Sequence, residues 1–435
     1  MAAPTTIPRA EHNLSRRLVD DDALRVITRL QKNDFETYLV GGGVRDLLLE
    51  RRPKDFDIGT SAHPPQIKRL FRNCWIIGRR FRLAHIKFGE KTLEVATFRR
   101  KVPPETDDEK TARQAERDRL KKTDGKGPIR RYIPRDNTFG TAEEDASRRD
   151  FTINALFYDV ATRSILDYVD GMRDIRSRRI RCIGDPNERF VEDPVRMLRA
   201  VVLAARLDLT IDSAILTAIR RHRGEIVHSS PARLLEELYK IGRSGSAERI
   251  IHDLGEIGLL KFIAPELDRA RSDALSLSLA SLDRYRARFE DIPSTLRNSL
   301  LLGTFVTPFA SIDRPRRRVP RDPSTTRPPE VALGLLPIAR RDLEHLRQVL
   351  DLQRRLTDDQ LPQRTRRTLT RRAAFNDALT WMEIHGQTPE LIESWRAEAI
   401  SAAEEPPRRR RRRRRRKRSR AGRPDSGGDQ GPSTE

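Results

Sequence analysis

Residues 38–61 read YLVGGGVRDLLLERRPKDFDIGTS, which sets a glycine turn and two alternating carboxylates inside one short unit. Tyr38, Leu39 and Val40 form an apolar strand. Gly41, Gly42 and Gly43 let the backbone take positive φ and approach a ligand closely, and Val44 to Leu49 has the apolar density of a helix start. A helix opening after glycines presents free N–H groups and the positive end of its dipole, so the turn is an anion site. In Asp55-Phe56-Asp57-Ile58 polar and apolar residues alternate. On a strand, both carboxylates project from one face while Phe56 and Ile58 enter the core. Carboxylates this close raise each other's pKa unless a cation lies between them, and hard oxygen ligands beside a phosphate cradle favour Mg²⁺. The chemistry implied is phosphoryl or nucleotidyl transfer with two Mg²⁺ ions held by Asp55 and Asp57.

Two common phosphate-binding patterns do not apply. The P-loop needs a Gly-Lys-Ser/Thr ending that is absent here, and the dinucleotide fingerprint needs glycine where Asp46 stands. Taken together, the G-G-x-V-R-D turn and the D-x-D that follows it resemble the class II nucleotidyltransferases, which include CCA-adding enzymes and bacterial poly(A) polymerases. The resemblance covers roughly residues 20 to 270. It implies an α+β, polymerase-β-like nucleotidyltransferase head over 20–180, a helical neck over 181–270 that binds the nucleotide base and RNA, and a helical body over 271–403. Residues 1–19 read as a flexible amino terminus.

Composition is consistent with this division. A chain of 435 residues exceeds what one hydrophobic core usually supports. A net charge of +23 and a pI near 10.7 point to a polyanionic partner. Cys74 and Cys182 are the only cysteines, which excludes a disulfide framework and a four-cysteine zinc site and suits a reducing compartment, the cytoplasm. No apolar run is long enough to span a bilayer, the amino terminus has no signal-peptide core, and Glu11 breaks the acid-free pattern of a transit peptide.

Leu24, Val26, Ile27 and Leu30 recur at helical spacing before the first strand. After the D-x-D segment, Thr60 or Ser61 can cap a helix from about Pro64 to Phe71, with proline tolerated in its first turn. A β-hairpin follows, with strands over 81–88 and 92–98 around Gly89. On its second strand Leu93, Val95 and Thr97 face one way and Glu94 the other, so Glu94 is positioned as a third catalytic carboxylate. Residues 76–86, IIGRRFRLAHI, resemble the block by which bacterial poly(A) polymerases are told from their CCA-adding relatives. Read as residues alone, they offer three arginines to phosphates and no base preference. Residues 101–136 lose periodicity in a run of Lys, Arg, Asp, Glu, Pro and Gly, the pattern of a mobile insertion.

Thr141 with Glu144 fits a capping box, and Arg148, Arg149, Asp150 and Asn154 follow in what reads as the same helix, with Asp150 and Asn154 four apart on one face. The segment resembles the family's R-R-D-x-x-x-N element. That resemblance implies that Asp150 and Asn154 hold the nucleotide ribose and that Arg148 and Arg149 lie near the phosphates, beside Gly41, Gly42, Gly43 and Arg45. A second hairpin spans 155–168, and residues 167–174, DYVDGMRD, resemble the family's flexible acidic-glycine loop.

At residues 192–199, EDPVRMLR, a long helix begins, with Asp193 placed as its cap and Pro194 in its first turn. Capping alone accounts for Asp193, yet Asp193 and Arg196 share a face. The segment resembles the family's E-D-x-x-R element, which reads the incoming base; Arg199 lies one turn further on and joins the nucleotide-binding set. A carboxylate that accepts from an exocyclic amine, paired with a guanidinium that donates to the neighbouring ring nitrogen, admits adenine and cytosine and leaves guanine and uracil mispaired. Beyond Arg206 every pattern is helical, with an Arg- and Pro-rich loop at 314–329. Residues 404–435 form an arginine-rich tail that self-repels, stays disordered and binds phosphate backbones without sequence preference.

Three functions therefore fit: template-independent addition of AMP from ATP to an RNA 3′ end, CCA addition to tRNA, and RNA binding without catalysis. The 76–86 block and the basic tail favour the first over the second, and Asp55, Asp57, Asp150 and Arg196 argue against the third.

Overall fold

In the computed structural model, which describes residues 4–78, 82–100, 139–310, 312, 331–358, 360–386 and 388–404, the 38–61 stretch becomes the middle of an eight-stranded mixed sheet. The strands are β1 Thr5–Ile7, β2 Thr37–Val40, β3 Asp57–Thr60, β4 Cys74–Ile77, β5 Leu83–Phe88, β6 Lys91–Thr97, β7 Leu156–Asp159 and β8 Ser164–Asp167. They lie in the order β1-β8-β7-β2-β3-β6-β5-β4. Neighbours are antiparallel except β3 and β6, which run parallel with Ile58 opposite Val95. A parallel pair needs a crossover, and helix α3 (Pro64–Leu70) with the β4–β5 hairpin supplies it.

Strand alternation divides the sheet into two faces. Leu39, Ile58, Ala84 and Val95 turn toward Val26, Ile27 and Leu30 of helix α1 (Asp21–Gln31) and Ile67 of α3. Val40, Phe98 and Phe157 pack on the other face under Ala142 and Ala146 of helix α4 (Ala142–Arg148). Helix α1 is capped by Asp20, whose carboxylate accepts the N–H groups of Asp22 at 3.0 Å and Ala23 at 3.1 Å, a cap that contributes about 1 kcal/mol. Helix α2 (Gly42–Leu48) starts directly after Gly41, whose φ of 73° only glycine takes without strain.

Several expectations are corrected. The amino terminus expected to be flexible is tied into the sheet: β1 pairs with β8, placing Thr5 opposite Asp167, and Ile7, Leu14 and Val19 are buried. Helix α3 is capped at His63 rather than at Thr60 or Ser61, because the Thr60 hydroxyl is 2.8 Å from that of Thr37 inside the sheet. The acidic-glycine segment folds into helix α5 (Gly171–Arg176), with the buried Asp167 carboxylate accepting N–H groups of Val169, Gly171 and Met172. The region after Arg206 contains one short strand, Thr210–Ile211, paired in parallel with Arg179–Ile180.

The remainder is helical. Helices α6 (Pro186–Glu192), α7 (Val195–Leu207), α8 (Ser213–His222), α9 (Pro231–Gly242) and α10 (Ala247–Ile257) form the neck, and further helices run to Pro389–Glu404. Within the body, the helix Asn298–Val306 is apolar on all sides because it is surrounded. Gly303 lets Trp381 lie against it, where a Cβ would come within 2.5 Å of the indole. The expected insertion at 101–136, the loop at 314–329 and all but the first residue of the 404–435 tail lie outside the described residues.

Candidate active site

Asp57 is the first residue of β3 and Glu94 lies next to it on β6, both on the sheet face away from α1. The Asp57 carboxyl is pushed up to about 6, by loss of water around it and then by the charges of Glu94 and Asp55, against the pull of Arg149. The residue keeps much of its outer surface; the carboxylate itself is crowded in the mouth beside the glycine turn, within 3.8 Å of where a Gly41 Cβ would stand. Asp55 precedes the strand instead of lying on it. Its side chain is 70% exposed, with Lys54 Nζ at 3.5 Å. The structure therefore brings Asp57 and Glu94 together and leaves Asp55 at the rim, whereas alternation alone predicted Asp55 and Asp57 on one strand face.

Among the described residues no group of three or more His, Cys, Asp or Glu side chains closes around a metal ion. The donor set nevertheless suits a hard divalent cation. Its oxygens are carboxylates, and the loss of water and then the mutual repulsion that raise Asp57 are what a cation would offset.

The glycine turn is flanked by a cation. Arg149 Nη1 lies 3.0 Å from the position of a Gly41 Cβ, so a side chain there would displace it. Arg149 donates to Asp145 and to the Asn154 carbonyl at 3.0 Å, and its guanidinium lies over the Phe157 ring at 5.2 Å. Arg148 also pairs with Asp145. Burial works against the charge of Asp145, but these two arginines outweigh it and hold the carboxyl below its usual range.

The helix ends at Arg148, so Asp150 and Asn154 are not one turn apart on it: Arg149 is extended and Phe151 bridges Cys182. The two side chains still meet, with Asn154 Nδ2 donating to Asp150 Oδ1 at 3.0 Å. Asp150 is enclosed. Burial opposes its charge, and Arg199 at 2.7 Å, the Asn154 amide and the Phe151 N–H overcome that and lower its pKa.

Arg45 does not reach the turn's ligand side. Buried at 5% exposure, it donates to Asp46 Oδ1 at 2.6 and 2.8 Å and to Asn154 Oδ1 at 2.6 Å. The other Asp46 oxygen takes Arg206 at 3.3 Å. Arg206 and Arg199 both lie on α7, so that helix grips the head at Asp46 and at Asp150, and the links between are Arg45 and Asn154. Asp46 and Arg206 carried no sequence signal beyond a buried-looking helix face.

Asp193 follows α6 and precedes α7. It accepts the Val195 N–H at 3.3 Å, and its carboxylate is held at both oxygens by Arg233 of α9 at 2.9 Å each. Arg196 turns the other way and donates from Nη1 to Glu192 at 2.8 Å and to the Arg189 carbonyl at 3.1 Å. Arg189, 3% exposed, donates to the carbonyls of Arg148 and Arg149, tying the neck to the R-R-D segment. Arg189 and Arg233 were missed because their partners lie about 40 residues away. In the 76–86 block, β4 and β5 pair antiparallel, and residues 79–81 between them lie outside the described ones.

A mixed sheet with paired carboxylates beside a glycine turn, continued by a helical neck that grips it, is an arrangement suited to nucleotidyl transfer. Residues 37–181 match the poly A polymerase head-domain family, and residues 208–271 match the "probable RNA and SrmB-binding site of polymerase A". Poly(A) polymerase I of Salmonella typhi is 45% identical over 265 residues, 61% of this chain and 54% of that protein. The CCA-adding enzyme of Bacillus licheniformis is 32% identical over 254 residues, 58% of each chain. The chain thus spans about half the length of the curated relatives it matches. The Bacillus stearothermophilus CCA-adding enzyme, solved with CTP, shares the fold at 22% identity with a TM-score of 0.56, covering 87% of this chain and 82% of that one. Among the described residues no helix is long and apolar enough to cross a membrane.

Proposed function

We propose that the chain is a template-independent polynucleotide adenylyltransferase, adding AMP from ATP to RNA 3′ ends with release of pyrophosphate. The observation that carries the chemistry is the Asp57–Glu94 pair beside the glycine turn, with Asp57 raised to about 6. The preference for AMP rests on the greater similarity to poly(A) polymerase I than to CCA-adding enzymes over the same region. Asp55 and Asp57 would hold Mg²⁺, two ions in all, which when bound supplies charge stabilisation to the α-phosphate and lowers the pKa of the attacking hydroxyl.

The chain's own residues do the rest. Gly41 to Gly43 allow the triphosphate to approach the backbone, with Arg149 beside them. Asn154, oriented by Arg45, and Asp150, oriented by Arg199, form the ribose edge. Asp193 and Arg196 present an acceptor and a donor to the base edge once Arg233 and Glu192 yield or share their bonds, a pattern that admits ATP and CTP and rejects GTP and UTP. The RNA-binding match over 208–271 and the basic tail support an RNA acceptor, and the chemistry suits the cytoplasm and RNA processing.

CCA addition is the second reading, favoured by the 32% identity to CCA-adding enzymes. Incubating the full chain in Mg²⁺ with an unstructured RNA or a tRNA lacking its CCA end, with each NTP separately, tests the proposal. Repeated AMP addition to the unstructured RNA is expected; CMP addition confined to the tRNA would replace this reading with the second.

A further inference from the structure

Strand register lines up one row of side chains across the sheet face away from α1. Trp75 on β4 is opposite His85 on β5, and His85 is opposite Glu94 on β6. Glu94 lies beside Asp57 on β3, since the following residues Val95 and Ile58 are paired. The alternate residues Ile76, Ala84, Val95 and Ile58 all turn into the core, so Trp75, His85, Glu94 and Asp57 share the outer face. At strand spacing, Trp75 stands about 10 Å from Glu94 and about 14 Å from Asp57.

Trp75 is 54% exposed on the last strand of the sheet, and Ile77, two residues along on the same face, is 50% exposed. The other two tryptophans, Trp381 and Trp395, are 8% and 0% exposed. More than half of the Trp75 indole is left open to a ligand. Lys87, also exposed and two residues beyond His85 on β5, places a cation on this face. An aromatic face with cations alongside is how single strands are held without sequence preference, since every base has a π-face.

We propose that Trp75 is a stacking platform for a base of the RNA strand, a few nucleotides before the 3′ end presented to Asp57 and Glu94. The proposal rests on the reading of the acceptor as an RNA end. Because the row ends at the reacting carboxylates and the chain carries a net charge of +23, the occupant is a polyanionic strand entering from the β4 edge. A stacking contact also explains how a template-independent enzyme can hold its product whatever the preceding base.

The burial of Trp381 and Trp395 makes tryptophan emission a reporter on Trp75. Full-length protein without ATP or metal is titrated with a short single-stranded oligoribonucleotide and with a ribose-phosphate oligomer of equal length lacking bases. Saturable quenching by the first and not by the second is expected. Trp75→Ala should lose the response and raise the oligoribonucleotide Kd roughly ten-fold, while Trp75→Phe should keep most of the affinity. Equal Kd values for wild type and Trp75→Ala, or equal quenching by the baseless oligomer, would overturn the stacking site while leaving the RNA acceptor in place. Wild-type protein that neither binds the oligoribonucleotide nor extends any RNA would overturn both, and the two failures are told apart by the wild type alone.

Discussion

Asp46→Asn should destabilise the head far more than a one-atom change on a helix suggests. Asp46 and Arg45 are 7% and 5% exposed, and the carboxylate serves Arg45 at 2.6 Å and Arg206 at 3.3 Å. The amide leaves a buried guanidinium without its counter-charge, which typically costs about 3–5 kcal/mol. Arg45 keeps its bond to Asn154, so the lower end of that range, about 3 kcal/mol, is expected. For a domain of this size that corresponds to a fall in Tm of roughly 10 °C, followed by far-ultraviolet circular dichroism. Replacing both partners, Arg45→Met with Asp46→Leu, removes the stranded charge and should restore most of the stability. Nucleotide addition should stay impaired in the double variant, because Asn154 loses the donor that fixes its amide. A single variant melting within about 1 °C of wild type, or a double variant with full activity, would refute the positioning role of this pair.

Asp57→Asn should abolish nucleotide addition, and so should Asp55→Ala, the latter with little loss of stability because its side chain is 70% exposed. The folded carboxyl of Asp57 is raised from 3.8 to about 6. The destabilisation it brings is absent below pH 4 and grows as pH rises through 6. Metal-free Asp57→Asn should therefore melt with wild type at pH 4 and above it at pH 7.5, and Mg²⁺ should raise the Tm of wild type alone; activity in Asp57→Asn would defeat the assignment. Asp193→Ala and Arg196→Ala should raise GTP and UTP use relative to ATP in competition assays, and unchanged preference would reduce Asp193 to an anchor for Arg233. Residues 406–435 hold thirteen Lys and Arg against three Asp and Glu, a net of ten positive charges. Deleting them should weaken RNA binding and flatten its log-log salt dependence by about 0.7 for each phosphate the tail had neutralised. Equal slopes across a salt series would show that the tail does not hold RNA.

Elements whose cause is local were legible in the order of residues. The glycine turn follows from Gly41 at positive φ, the β5–β6 hairpin from alternation around Gly89, and the outward face of Glu94 from Leu93 and Val95 on either side. The neck helices α9 and α10 follow from apolar residues at helical spacing and Pro231 in a first turn. Placements that depend on distant partners came only with the packing of the elements. Residues 149–154 carry helical spacing, yet Arg189 takes the carbonyls of Arg148 and Arg149 and Phe151 bridges Cys182, so the chain leaves the helix extended at Arg149 and Phe151 before a short 3-10 turn at Thr152–Asn154. Asp193 faces Arg233 from 40 residues away, and Asp46 meets Arg206 from 160 away. Hydrophobic periodicity records which side of an element is buried, but an ion pair depends on where two elements meet, and no spacing along the chain encodes that distance.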